Sequence, residues 1–88
     1  PGRAVAFGIY DERAGTEEVV VVAEAEDIST EEKQQLADRI RQHVTKNSAI
    51  ALRFVHIVYP KWIIKTSSGK PSRLANRDKY LAEMAKDL

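Results

Sequence analysis

Apolar positions keep changing their spacing along this chain, and each change marks an element. AVAFGIYD (4 to 11) is rich in β-branched and aromatic residues and runs into DERAGTEE, whose Asp, Gly and Thr signal a turn. EVVVVAEAE (18 to 26) opens as an unbroken apolar run and ends alternating, which predicts a second strand whose first half is buried on both faces. The two strands make a hairpin. In the following stretch, DISTEEKQQLADRIRQHVTKNSA, Ser29 and Glu32 form a capping box and Leu36, Ala37, Ile40 and Val44 share one face, predicting a helix over about 30 to 46. Its polar face (Lys33, Gln34, Arg41) is expected to be solvated.

LRFVHIVYP (52 to 60) predicts a third strand closed by Pro60, with Phe54, His56 and Val58 on one side and Val55, Ile57 and Tyr59 on the other. PKWIIKTSSGKP is too rich in Ser, Gly and Pro to be regular throughout, while Trp62, Ile63 and Ile64 pin its start to the core. In SRLANRDKYLAEMAKDL, Leu74, Arg77, Leu81, Met84 and Leu88 fall at helical spacing, and the four apolar ones predict the buried stripe of a final helix. The pattern is an α+β, small two-layer domain: a β-hairpin plus a third strand in one sheet packed by two helices, with a basic loop before the last helix. A right-handed crossover makes the second and third strands parallel, with room for the first strand between them.

Composition narrows the class. With 88 residues there is one domain, burying about 60 to 65% of the surface of its unfolded chain. No apolar run approaches the roughly 18 residues of a membrane span, no signal-peptide pattern opens the chain, and there is no cysteine, so a cytoplasmic, reducing setting without membrane is expected. His43 and His56 alone offer too few ligands for a structural zinc, and no metal site is expected. The net charge of +1 hides an asymmetry: residues 53 to 88 carry eight Lys/Arg against three Asp/Glu, or +5, which favours an anionic partner.

The loop KTSSGKPSR (65 to 73) is where that charge meets chemistry. A Walker A loop needs a Gly five residues before the Gly that precedes the Lys, and a Ser/Thr after the Lys; Ile64 and Pro71 stand there instead, so a phosphate loop of that kind is excluded. The stretch from Pro60 to Arg73, with Lys65-Thr66, Ser68-Gly69-Lys70 and Arg73 in place and a helix just after, resembles the last core motif of the adenylate-forming superfamily, the AMP-dependent synthetases and ligases that include acyl-CoA synthetases and fatty acyl-AMP ligases. PGRAVAFGIYDERAGTEEVVVVAE resembles the strand-turn-strand that precedes this motif in those relatives, so the likeness spans nearly the whole chain. It departs from the family in lacking the hinge, the Gly-rich loop and first helix, and the large N-terminal domain, and in carrying Pro71 where a branched apolar residue is usual. Residues 1 to 88 are thus expected to be a single C-terminal subdomain, with one sheet face left exposed by the missing helix and with the isolated piece inactive.

The resemblance implies that Lys70 is catalytic. It implies a mobile lid of an ATP-dependent ligase that activates a carboxylic acid, fatty by analogy, as acyl-AMP and passes it to a coenzyme A or carrier-protein thiol. ATP with Mg would be bound mainly by the absent N-terminal adenylation domain, which is the implied partner; coenzyme A, or the phosphopantetheine of an acyl carrier protein, is the candidate acceptor. Gly69 supplies a sharp turn, Ser68 and Thr66 support the loop, and Arg73 either braces it or meets a phosphate. Lys61, Lys65 and Arg77 read by default as solvated charges, His43 and His56 as helix-surface and sheet-face residues, and Tyr59, Trp62 and Tyr80 as core or boundary aromatics. The alternative is a small basic nucleic-acid or partner-binding module using the same cations, but no aromatic ladder interleaves them, so nucleic acid is not expected. Neither the acid nor the acceptor can be named from these residues.

Overall fold

A computed structural model describes residues 3 to 47, 49 and 51 to 86. The elements run β1 (Ala4–Asp11), β2 (Thr16–Glu24), α1 (Thr30–Asn47), β3 (Leu52–Val58) and α2 (Arg73–Lys86). The α+β class expected from the residue pattern is the class observed, with one mixed three-stranded sheet and two helices.

β1 and β2 pair antiparallel through a turn held by Asp11, whose carboxylate accepts the Arg13 and Ala14 amides while its carbonyl accepts that of Gly15 at φ 67°. β2 and β3 are parallel, as expected for two strands joined through a single helix. The strand order is β1-β2-β3, so β1 lies at an edge and not between the other two. That places the Val19–Val22 run in the central strand with both edges paired. Where burial on both faces was expected, only Val20 and Val22 are fully buried; Val19 and Val21 on the opposite face are half-buried because α1 lies over β3 and not over β2.

One sheet face carries Val5 and Phe7 of β1, Val20 and Val22 of β2, and His56 and Val58 of β3, brought side by side by the registers Val5↔Val22, Phe7↔Val20 and Val22↔His56. Over it lie Tyr80 and Met84 of α2 and Trp62 and Ile63 of the loop, completing the core. Phe7 and Tyr80 meet at 5.7 Å between ring centroids, and His56 stands edge-on to Tyr80 at 5.5 Å and to Trp62 at 5.9 Å. α1 lies along β3, where Val55 is buried, but no α1 residue is itself fully buried.

The final helix turns differently from its leucine spacing. Leu74 and Leu81 are 64% and 43% exposed, whereas Asn76 and Tyr80 are 0% and 6%. Met84 continues that inward face, and Leu88 lies outside the described residues. The spacing 76, 80, 84 is as helical as 74, 81, 88; a phenol and an amide outcompete two leucines because each is given a ring partner or a full set of hydrogen bonds. Tyr59 is also exposed, with the Lys33 ammonium 4.8 Å above its ring.

Candidate functional site

Between β3 and α2 the chain makes two turns. Tyr59 to Trp62 forms the first, with the Trp62 amide donating to the Tyr59 carbonyl at 3.3 Å, Pro60 in the second position and Lys61 at φ 71° in the third. That is the position where a turn of this type favours Gly or Asn. The backbone that follows has no regular partner strand, so side chains satisfy it. Lys79 donates to the Trp62 carbonyl at 2.6 Å and lies 4.3 Å over its ring; the Ile63 amide donates to Glu24 at 3.0 Å; the indole of Trp62 donates to both oxygens of Glu83. Asn76 takes both backbone groups of Ile64, accepting from its amide at 2.8 Å and donating to its carbonyl at 2.9 Å.

From Ile64 the loop doubles back as a short hairpin. The Ser72 amide donates to Ile64, Lys65 and Pro71 form an antiparallel bridge, and the Thr66 amide donates to the Lys70 carbonyl at 2.8 Å. At the tip the Gly69 amide donates to the Thr66 carbonyl at 2.9 Å, with Gly69 at φ 85°: a four-residue turn followed by the bulge that a left-handed glycine permits. The Thr66 and Ser68 hydroxyls are hydrogen-bonded to each other at 2.9 Å. Thr66, Ser68, Gly69 and Lys70 are therefore brought together in one tight turn, all exposed.

Residues 59 to 77 contain five cations (Lys61, Lys65, Lys70, Arg73, Arg77) and no acid. Among the described residues the Lys70 ammonium makes no hydrogen bond or ion pair, so its charge is available to an incoming anion. Arg73 is not joined to the hairpin. With Leu74 and Arg77 it lines a groove of about 440 Å³ beside β1, where Glu17 lies across Gly8 so closely that a β-carbon there would sit 2.5 Å from it. Arg77 is paired with its neighbour Asp78 at 3.1 Å. No group of three or more His, Asp or Glu side chains lies together among the described residues, and none of their helices is long and apolar enough to cross a membrane.

Beneath the loop, burial holds the His56 imidazole below its ordinary pKa, with the nearby Glu83 carboxylate pulling the other way, and burial raises that of Tyr80 against a smaller opposing influence of Arg53. The loop thus stands on a neutral aromatic base with its cations outward. Asn76, Lys79 and Glu83, which fasten it, belong to no motif of the sequence; the signal they carry is their spacing on one face of a helix, i, i+3, i+7.

This architecture has a solved counterpart. The structure of McyG A-PCP complexed with phenylalanyl-adenylate superposes with a TM-score of 0.73 over 94% of this chain, at 25% sequence identity. The chain shares its fold with part of an adenylate-forming enzyme. It spans 15% of the length of that counterpart. No family model matches the sequence, and no curated protein matches it either.

Proposed function

We propose that this chain is the C-terminal lid of an ATP-dependent acid ligase and that Lys70 is its catalytic residue. The observation that carries the reading is the Lys70 ammonium, unpaired at the tip of a tightly built turn, on a fold shared with an adenylate-forming enzyme. In such a ligase the carboxylate oxygen of the acid attacks the α-phosphorus of ATP, the bond to the β-phosphate oxygen breaks, and pyrophosphate leaves. Two anions are brought together and charge builds on the phosphoryl oxygens. A compact cation with three donors stabilises both if it is delivered between them.

The chain's own part is to hold that ammonium on a flexible stem above a fixed turn and to keep competing acids away from it. On this reading magnesium is held by the phosphates of ATP and by the rest of the ligase, as the resemblance of the loop motif implies. The nature of the acid, fatty or amino, and the thiol acceptor belong to that remainder too. A carrier-protein acceptor is supported by the A-PCP context of the structural counterpart, and coenzyme A by the likeness of the loop motif to acyl-CoA synthetases.

Pyrophosphate exchange in the ligase that contains this chain tests the reading. Lys70→Ala should slow adenylation by about two to three orders of magnitude, the loss of one preorganised transition-state donor. Thiol transfer from supplied acyl-adenylate should be much less affected. Lys65→Ala removes an equal charge one rung away and should cost far less. Equal losses for the two lysines would reduce the effect to the general charge of a basic loop and overturn the role of Lys70. The 88 residues alone should release no pyrophosphate from ATP and acid above a heat-killed control.

A further inference from the structure

Among the described residues Asn76 is the one buried polar side chain, and it has no exposed surface. Asn is a poor choice for the interior of a helix, and burying an amide is unfavourable unless every group on it is bonded. A leucine would avoid both costs. The amide does what leucine cannot. It donates to Ile64 and Ser72, at 2.9 and 2.6 Å, and accepts from Ile64 at 2.8 Å, acting as the first rung of the hairpin that runs through the Lys65–Pro71 bridge to the Thr66–Lys70 bond. Beyond that rung, residues 65 to 71 make no hydrogen bond or ion pair to the remainder of the described chain. The direction in which Lys70 points relative to α2 is therefore set where Ser72 and Asn76 meet Ile64, and Asn76 is the side chain that reaches that base from within α2.

On the reading that Lys70 serves adenylation, we infer that Asn76 is its positioning residue, locking the base of the 64–72 hairpin to α2 so that helix and lysine move as one body. Asn76→Leu keeps the branched outline at a larger volume and removes all three side-chain bonds. Asn76→Asp keeps the shape and the bond from Ile64 but replaces two donors with a group that repels the carbonyls they served.

Hydrogen exchange in the 88-residue chain reads the lock directly. Asn76→Leu should speed exchange of the Ile64, Thr66, Gly69 and Ser72 amides by about tenfold or more, and Asn76→Asp those of Thr66, Gly69 and Ser72, while those of Val20 and Val22 keep their rates. In the parent ligase, Asn76→Leu should lower kcat for adenylation by up to about a hundredfold, the effect of a small misplacement, with KM for ATP and the thiol-transfer rate unchanged. Loop amides that keep their protection, or that lose it only in step with Val20 and Val22, overturn the lock. A loosened loop with a wild-type kcat, in an enzyme that Lys70→Ala inactivates, overturns the positioning role. A wild-type adenylation rate for Lys70→Ala overturns the ligase reading itself, while the exchange rates still decide whether Asn76 holds the loop.

Discussion

The two helices of this domain are held by opposite means. α1 is stabilised from within: the Ser29 hydroxyl accepts the Glu32 amide at 3.1 Å, the Glu32 carboxylate accepts the Ser29 amide at 3.0 Å, acids fill its first turn and Lys46 its last. The Ser29 amide first, and its hydroxyl second, hold the Glu32 carboxyl below its ordinary pKa. It buries no residue fully. α2 matches it only at its end, with Lys86 in the last turn; at its start it has the Ser72 hydroxyl, accepting from Ala75 at 3.2 Å, and opens with Arg73 and no acid, against the helix dipole. What keeps it helical is what it touches: Tyr80 in the core and Asn76, Lys79 and Glu83 on the loop. A helix that owes its form to its neighbours also holds them in place, which is why the loop with Lys70 is built on α2.

The contrast should be largest in the core. Tyr80→Ala removes the ring between Phe7 and His56 and should cost about 3 to 5 kcal/mol in denaturant unfolding, while Ile40→Ala on the half-covered face of α1 should stay below about 2 kcal/mol. Leu74→Ala, at an exposed site, should fall within about 0.5 kcal/mol. Equal losses for Tyr80 and Ile40 would break the comparison, and a large loss at Leu74 would return that residue to the core.

A smaller loss is expected from acid. His56 is neutral beneath α2 because burial lowers its pKa, so near and below its ordinary value of about 6.5 the unfolded chain binds the proton more readily. Stability contributed by neutral His56 is complete above that value and is lost as pH falls toward the depressed folded pKa. Unfolding midpoints measured from pH 7.5 to 5.5 should decline, and His56→Phe should flatten the decline. An unchanged slope in that variant would place the titration elsewhere. Ser29→Ala tests the other helix and should cost about 1 kcal/mol with no effect on hydrogen exchange in the 64–72 hairpin.

The division between the helices also explains what could be read in advance. α1 was legible because its determinants are contiguous: the cap, the first-turn acids and the 36, 37, 40, 44 face all lie within the helix. The hairpin strands and the parallel crossover were legible for the same reason, from runs, turn residues and a chirality rule. The face of α2 was not, since the worth of Tyr80 and Asn76 depends on Phe7, His56 and the backbone of Ile64, residues 12 to 73 positions away. The edge position of β1 was not legible because a helical connection predicts the direction of β3 but not which strand it pairs with. In the loop, Gly69 announced its turn; Lys61 did not, being a lysine where a glycine was due.

Lys61 supplies the finest test of which cations the site uses. Its φ of 71° places a residue with a β-carbon in the left-handed region, at a cost of about 1 to 2 kcal/mol that glycine would not incur. Lys61→Gly relieves that strain but adds freedom to the unfolded chain, an opposing effect of about 0.4 to 1 kcal/mol, so the net gain should lie between zero and about 1.6 kcal/mol. The substitution also removes a charge from the segment before Lys70 while leaving the Trp62 to Tyr59 hydrogen bond in place. Adenylation by the parent ligase should therefore be unchanged in the same variant whose thermal midpoint rises by a few degrees. A drop in rate with intact stability would mean that Lys61 contributes to the anion field and that the charge acting on ATP is shared. A drop in stability would mean that the lysine stem, packed on its surroundings, is what holds the turn, and that the conformation is supported and not strained.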